Sequence, residues 1–387
     1  MKAGAGRPAW KIRPMNALQK SNWRVGVWLG LVLAAGLAAR FWLGTFGHTF
    51  DFETWCLVAG IVEQGKDVYA STTWYNFGPG WWNILHVLDL LARHDPAVFR
   101  WLLIGCLSAV DVGIFCVLWR KFGRLAATLF FLNPVSIMVD GYHNQFDNIA
   151  VLLGLWAVLL LGDQFDRPVG RRKLLGLAVL GLSLMTKHLL FAFPFWLAVK
   201  QKGLWQKCLV LAVPVVTFLL GFAPYWAADR AEIIHNVFLY KSFNIGHFYT
   251  FFMPTAVQSV LNAETVWFFA LGVFAFINRR RPALESLLLY TCVLVATAPA
   301  TSDHYLATPS AFTSVFVNFF TVAYTVIAAY QVSGDVPGLL PPRIGTADAL
   351  AIYALCLALV WVTWRDNLLD LLSRCHREIK VQLGQEE

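Results

Sequence analysis

Candidate chemistry appears first in the stretch HTFDFETW, residues 48–55, which follows directly on a long apolar run. Asp51 and Glu53 stand two residues apart there, beside a histidine and several aromatic residues. Acids near the start of a helix are favoured by the helix dipole, so the pair is compatible with a solvated helix N-terminus. A carboxylate held over a cavity at a membrane surface is also suited to act as a general base. The residues alone leave both interpretations open.

A second polar cluster is VDGYHNQFDN, residues 139–148, which stands between two apolar runs. A plain turn would explain its glycine and one asparagine, but not the density of His143, Asn144, Gln145 and Asp147. Amides and acids at this density can hydrogen-bond the hydroxyl groups of a sugar. We therefore predict that these four residues bind substrate.

Three further groups of polar residues interrupt apolar sequence. Lys187 and His188 break a stretch of more than twenty residues, where an internal anion such as a phosphate is a better partner for the lysine than bulk water. Asp303 and His304 lie between two later runs, where a solvated surface loop is the alternative interpretation. Lys241 lies among aromatic residues, a pattern that suits an interfacial segment gripping a lipid tail and head group.

The composition places these residues in a membrane protein. The 387 residues are 58% hydrophobic and 14% charged, against about 25% charged in a soluble domain. Repeated apolar runs of roughly 15–22 residues predict an all-α polytopic protein with about 11–12 transmembrane or re-entrant helices. The net charge of +8 comes from Lys and Arg at the ends of these runs, so no nucleic-acid partner is expected. The seven cysteines show no CxxC spacing, which argues against a disulfide framework or a zinc site.

The runs divide the chain into four predicted regions. A cytoplasmic basic arm, 1–23, precedes a membrane module over 24–310, which includes two long outer loops at 45–79 and 226–263. Transmembrane helices over 311–364 and a polar tail over 365–387 follow.

Basic clusters at 171–173, 200–207 and 279–281 predict the cytoplasmic side and leave the polar clusters outside. One conflict concerns the basic cluster at 120–124, because three segments separate Asp51 from His143. An odd number of crossings cannot return the chain to the same side. We therefore predict that the short segment 78–88 does not span.

Acids and cations on one side suit glycosyl transfer from a lipid phosphate. The acceptor hydroxyl needs a base, and the departing phosphate needs charge stabilisation. The anomeric carbon would become oxocarbenium-like, as in glycoside hydrolysis. No metal ion or other cofactor is expected in this scheme.

The motifs resemble those of GT-C superfamily glycosyltransferases, and more narrowly the dolichyl-phosphate-glucose-dependent glucosyltransferases of N-glycan assembly and their prokaryotic relatives. FDFETW is similar to the family's G-D-Y-E loop, with Asp51 on the catalytic aspartate and Glu53 on the next acid. HNQFDN resembles H-F-Q-Y-N, TKHLLFAFPF resembles the lysine-bearing FKxxxLYxAP segment, and SDHYLATP resembles the late V-H-E-K loop. The chain departs from the family at Phe50, Tyr305 and Leu306, and NQFD is equally similar to polyprenyl-phosphate-mannose enzymes.

The resemblance implies an inverting, metal-independent transferase. It would move glucose or mannose from a polyprenyl- or dolichyl-phosphate donor to a lipid-linked glycan or other outer-side acceptor. Asp51 would be the base, Lys187 and His304 would hold the phosphate, and Glu53 would position either the acceptor or Asp51. The enzyme would be a multi-pass protein of a bacterial or archaeal plasma membrane, or of the endoplasmic reticulum. Its active site would face the periplasmic, extracellular or luminal side.

A lipid-linked-sugar transporter or flippase is the main alternative, and a non-catalytic membrane scaffold is another.

Overall fold

The computed structural model describes residues 23–165, 168–240, 246–300, 302–339 and 346–382, with only the backbone of 366–382. Every regular element in these ranges is a helix, which confirms the all-α prediction. The α-helices are α1 (Trp23–Gly44), α2 (Phe50–Glu63), α3 (Val68–Ser71), α4 (Pro79–Ala92), α5 (Pro96–Phe122), α6 (Arg124–Phe131), α7 (Pro134–Met138), α8 (Asp147–Leu161), α9 (Arg171–Thr186), α10 (Phe193–Ala198), α11 (Leu204–Phe222), α12 (Trp226–Ile233), α13 (His247–Phe252), α14 (Thr255–Gln258), α15 (Ala263–Ile277), α16 (Ala283–Ala296), α17 (Ser310–Val315), α18 (Phe319–Ser333) and α19 (Ala347–Gln382). Two π-helical turns (Val139–His143 and Ile234–Phe238) and two 3₁₀ turns (His188–Leu190 and Asp303–Ala307) join them.

The bundle contains both long and short membrane helices. Within the described residues, five helices are long and apolar enough to cross a membrane: Trp23–Gly44, Pro96–Phe122, Arg124–His143, Leu204–Phe222 and Ala347–Arg365. Four shorter apolar helices accompany them: Asp147–Leu161, Ala263–Ile277, Ala283–Ala296 and Phe319–Ser333. The protein is therefore a multi-pass membrane protein. The predicted total of about 11–12 segments is reached only by adding shorter or broken pieces such as α9 and α10.

α4 lies along one end of the bundle. It follows Gly78, whose backbone approaches Met185 at the end of α9 so closely that a Cβ atom would lie 1.9 Å from the Met185 oxygen. α5 begins four residues after α4, and its Arg100 donates a hydrogen bond to the Gly47 carbonyl, just beyond α1. Both ends of α4 thus lie at the end of the bundle that carries Asp51. This arrangement is consistent with a segment 78–88 that does not span, and the cytoplasmic location of 120–124 stays a prediction.

The basic clusters meet at the opposite end. Lys200 Nζ donates to the carbonyls of Asn278, Arg279 and Arg281 at 3.2, 3.2 and 2.8 Å. Arg281 also donates to the Val362 carbonyl at 2.8 Å. Lys200 and the 279–281 cluster thus lie together, and the cytoplasmic location of this end stays a prediction.

Two predicted boundaries need correction. The outer loops at 45–79 and 226–263 are largely helical, since they contain α2 and α3 and then α12 to α14. The polar tail at 365–387 is not a separate segment, because α19 continues to Gln382. No glycine or proline interrupts 347–382, so nothing in this sequence favours ending the helix where the charged residues begin. The arm at 1–22 and residues 383–387 lie outside the described residues.

Candidate active site

Asp51 lies in the first turn of α2 and is half-buried against the polar turn after α7. The Gln145 side chain is hydrogen-bonded to its carboxylate. The Thr49 hydroxyl lies 3.4 Å from Asp51 Oδ2 and 3.3 Å from the His143 carbonyl oxygen. Helical geometry sends Glu53 to another face of α2, where it is exposed. The two acids of the sequence motif are therefore separated, and only Asp51 joins the site.

Lys187 supplies the positive charge of the site. α9 ends at Thr186, and Lys187 is extended (φ −146°, ψ 123°) before the 3₁₀ turn, so its side chain leaves the helix axis. Its Nζ donates to Asp147 Oδ2 at 2.6 Å and to Gln145 Oε1 at 3.4 Å. Gln145 thus bridges the lysine and Asp51 through the two ends of one amide. The side chains of Lys187 and Asp147 are only 2% and 1% exposed.

Three aromatic rings surround the Lys187 ammonium. Its Nζ lies 4.7 Å from the ring centroid of Phe146, 5.1 Å from that of Phe77 and 5.4 Å from that of Tyr305. Trp81 stacks on the other side of Phe146 at a centroid distance of 4.0 Å. Cation–π attraction is stronger in such desolvated surroundings, so the rings stabilise a charged lysine while keeping its surroundings apolar.

Two of the three predicted histidines, His143 and His304, reach the same region from different elements. His143, at the end of the π-helical turn, lies 3.3 Å from Asp335 Oδ2 and is buried. His304, on the late 3₁₀ turn, is 3.1 Å from the Ser302 hydroxyl through Nδ1. Lys187 and His143 both influence the charge state of His304, so the three groups are close neighbours. The structure thus brings five of the predicted residues together: Asp51, Gln145, Asp147, Lys187 and His304, with His143 at their edge.

The other predicted binding residues have different surroundings. Asn144 is fully buried in a left-handed conformation (φ 56°), and its amide donates to the Asp140 carbonyl at 2.9 Å. It shapes the turn. Asp303 accepts a hydrogen bond from Gln331 at 3.0 Å. His188 follows Lys187 and lies 6.4 Å from Phe77 between ring centroids. Lys241 lies outside the described residues.

Burial changes the acid–base behaviour of two site residues. It raises the pKa of Asp51 above its ordinary 3.8, while the Gln145 hydrogen bond and the Lys187 charge act in the opposite direction. It lowers the pKa of His304 well below its ordinary 6.5, and Lys187 and His143 add to this effect. At neutral pH His304 is therefore a neutral hydrogen-bonding group.

A separate group of possible metal ligands lies on the surface. Ligand atoms of Glu63, Asp89 and His94 lie within 4.8 Å of one another. His94 Nδ1 is 2.7 Å from Asp89 and 3.1 Å from Glu63, so ion pairing accounts for this geometry. The predicted chemistry at Asp51 does not involve this group.

Two solved structures resemble this fold, and both are of ArnT from Cupriavidus metallidurans. The apo crystal structure matches with a TM-score of 0.51 and 17% sequence identity, over 88% of this chain and 77% of that one. The structure bound to undecaprenyl phosphate matches with a TM-score of 0.50 and 17% identity, over 87% and 76%. Because ArnT is a GT-C glycosyltransferase, the chain has the GT-C fold that its motifs predicted. No family model and no curated protein matches the sequence.

Sequence reasoning missed a second buried cluster beside the site, formed by Arg40, Asp111 and Asp140. A signal was present, because Arg40 and Asp111 are opposite charges inside the apolar runs that form α1 and α5. Charges at such depth require partners. Tyr305 departs from the family motif, yet its ring lies 5.4 Å from the Lys187 ammonium and is part of the site.

Proposed function

We propose that the protein is a glycosyltransferase that takes its sugar from a polyprenyl-phosphate donor, with Asp51 as the base. The observation that carries this proposal is the chain of contacts from Asp51 through Gln145 to Lys187 and Asp147, at one end of a GT-C bundle. It places a half-buried carboxylate beside a buried cation. A relative of the same fold has been crystallised with undecaprenyl phosphate, which supports a lipid-phosphate donor.

Each charged group has a distinct proposed role. Asp51 takes the proton of the acceptor hydroxyl as that oxygen attacks the anomeric carbon, and the bond from this carbon to the phosphate oxygen breaks. Lys187 stabilises the charge that develops on the departing phosphate, with His304 as a neutral hydrogen-bond donor. For this, the Lys187 ammonium must exchange part of its contact with Asp147 for the phosphate. The attack occurs opposite the leaving group, so the product is inverted.

The proposed donor sugar is a hexose, glucose or mannose, on a polyprenyl or dolichyl carrier. The proposed acceptor is a lipid-linked glycan or another outer-side acceptor. Gln145 and Asp147 would contact the sugar from the polar turn, with His143 at the edge. At the opposite end of the bundle, Lys200 donates to the carbonyls of Arg279 and Arg281, and Arg281 donates to the Val362 carbonyl. This concentration of basic residues supports a cytoplasmic location for that end and an outer-side location for Asp51.

Purified protein in detergent provides the direct test. It is given undecaprenyl-phosphate-linked glucose or mannose together with lipid-linked acceptors extracted from its host, and the products are read by mass spectrometry. We expect product with an inverted linkage and the release of undecaprenyl phosphate. A transporter or flippase would make no product in the absence of a membrane. Loss of one lipid-linked glycan from cells that lack the protein would identify the acceptor.

A further inference from the structure

Arg40, near the end of α1, lies at the centre of a fully buried polar cluster. Its Nε donates to Asp140 Oδ2 at 2.9 Å, and its Nη2 donates to Asp111 Oδ2 at 2.5 Å. Its Nη1 donates to the carbonyls of Gly36 and Phe131 at 3.1 and 3.0 Å. The side chains of Arg40 and Asp111 are 0% exposed and that of Asp140 is 1% exposed. One guanidinium thus joins α1, α5, the end of α6 and the π-helical turn.

The charges of this cluster do not balance if both acids are ionised. One guanidinium then faces two carboxylates, and a net negative charge would remain at a depth where isolated charge is very unfavourable. The donors are also unevenly shared. Asp111 accepts from Arg40, from the Ser136 hydroxyl at 2.7 Å and from the Asn148 amide at 2.6 Å. Asp140 accepts from Arg40, which also donates to Asp111, so one guanidinium holds the two carboxyl groups side by side.

A hydrogen bond between two carboxyl groups requires a proton on one of them, because an ionised carboxylate is only an acceptor. Asp111 accepts three hydrogen bonds from other side chains, whereas Asp140 accepts one. Asp140 is therefore the better placed of the two carboxyl groups to hold such a proton and to donate it to Asp111. One proton shared by the two carboxyl groups would make the cluster neutral as a whole.

The same cluster holds the turn that presents Gln145. Gly141 approaches α1 so closely that a Cβ atom would lie 2.5 Å from the Arg40 carbonyl oxygen. The Asp140 carbonyl accepts the Asn144 amide, and the Asn144 carbonyl accepts the Trp55 indole N–H at 3.0 Å. Trp55 lies on α2, one turn after Asp51. The turn is therefore fixed on one side by Arg40 and on the other by the helix that carries Asp51.

We propose that Asp140 and Arg40 are positioning residues: a proton shared between Asp140 and Asp111 closes their buried cluster, which fixes the Val139–His143 turn and so aligns Gln145 with Asp51. The proposal rests on the proposed function only for its turnover readout. Neither residue touches the reacting groups.

Two variants of one residue test it. Asp140→Asn retains a hydrogen-bonding side chain of the same shape without a carboxyl group, whereas Asp140→Leu removes the polar contacts. The infrared spectrum of the wild type minus that of Asp140→Asn should contain the C=O stretch of a protonated carboxyl group. Amides of the 139–145 segment should exchange with deuterium about tenfold faster in Asp140→Leu and at the wild-type rate in Asp140→Asn.

The turnover readout separates positioning from general stability. We expect Asp140→Leu to lower kcat by about 10²-fold with little change in the KM for the lipid donor, and Asp140→Asn to restore it. An absent protonated-carboxyl band would overturn the shared proton, and wild-type exchange of the 139–145 segment in Asp140→Leu would overturn the positioning role. If the wild type transfers no sugar, the proposed function fails while both spectroscopic results still decide this proposal. If Asp140→Leu does not fold, the infrared comparison and the recovery of a folded, active Asp140→Asn decide it.

Discussion

Two buried clusters in this molecule each combine one cation with two carboxyl groups. Arg40 meets Asp111 and Asp140, and Lys187 meets Asp147 with Asp51 one amide away. In the Arg40 cluster every member is essentially unexposed, and donors from several helices surround the acids. In the Lys187 cluster Asp51 is half-buried, and Asp147 Oδ1 has no hydrogen-bond partner among the residues that the structure describes. We call the Arg40 cluster closed, because its charged groups are buried and bonded to one another, and the Lys187 cluster open, because it keeps an exposed face and an acceptor.

The difference shows that burial of charge has two separate uses here. A closed cluster has no group left to offer a ligand, so it can hold helices together but cannot do chemistry. The open cluster keeps one acceptor and one face of the site available. Aromatic rings add cation–π attraction to the hydrogen bonds that its lysine makes with Asp147 and Gln145, and this attraction uses none of the N–H donors that a phosphate would need.

The largest expected effect on turnover is in the open cluster, at Asp51. Asp51→Asn should lower turnover by about 10²–10⁴-fold, because the amide cannot accept the acceptor's proton. Binding of the lipid donor should change little. Glu53→Gln is the matched control, since Glu53 lies on the same helix but is exposed. Turnover by purified protein measures both, and normal activity of Asp51→Asn would remove the proposed base.

Opening the closed cluster should mainly affect stability. Arg40→Met leaves two buried carboxyl groups without their cation, and we expect a loss of about 3–5 kcal/mol in the free energy of unfolding. Arg24→Met, at the exposed start of the same helix, should change it by less than about 0.5 kcal/mol. Denaturant unfolding in detergent measures the difference. Equal stability of the two variants would mean that the Arg40 cluster does not hold the helices.

Lys187 can be tested for more than its pairing with Asp147. Lys187→Met should lower kcat by about 10²–10³-fold through the loss of charge stabilisation at the phosphate. Lys187→Met alone also leaves the buried Asp147 carboxylate without its cation and should lower stability. The double variant Lys187→Met/Asp147→Asn removes both charges, so it should regain that stability but not the activity. Recovered activity in the double variant would show that the lysine serves only as a counter-charge for Asp147.

The pH dependence should report Asp51. The base must be ionised, so kcat/KM should fall as the pH falls through its pKa, which lies above the ordinary 3.8. His304 adds no second limb near neutrality, because its pKa lies well below 6.5. Gln145→Leu removes a hydrogen bond that favours the ionised acid, so the fall should begin at a higher pH. A pH profile of the variant identical to that of the wild type would exclude this role of Gln145.

The smallest effect is expected at the edge of the site. Asp335 is 28% exposed and lies 3.3 Å from His143. A partly exposed pair of this kind contributes at most about 1 kcal/mol, so Asp335→Asn should change kcat/KM by no more than about fivefold. Steady-state kinetics would detect a larger loss, which would place Asp335 among the binding residues.

The sequence predicted the class of fold and the residues of the open cluster, for a common physical reason. Long apolar runs, and the polar residues that interrupt them, are both visible in the order of the residues. A lysine inside an apolar stretch requires a partner. Lys187 and Asp147 were each identified in this way. Their mutual contact was not predicted, because it depends on where α9 ends and how α8 begins.

The polar motif at 139–148 shows what composition could not resolve. The sequence predicts a single sugar-binding group here, but the π-helical turn directs its side chains to different partners. Asp140 points to Arg40, Asn144 closes the turn, and Gln145 and Asp147 face Lys187. A π-helical turn has no simple sequence periodicity, so spacing could not assign these directions. The same applies to Glu53, whose exposure follows from the helical state of a segment predicted as a loop.

The position of Arg40 also has a consequence for the order of assembly. Ribosomes complete α1 before either carboxyl partner exists, since Asp111 and Asp140 follow Arg40 by 71 and 100 residues. During this interval α1 must enter the lipid with an unpaired guanidinium. Arg40 is one turn from the end of its helix, so its long side chain can reach the polar interface until the partners arrive. The cluster therefore cannot form until α5 and the Val139–His143 turn have joined α1 in the bundle.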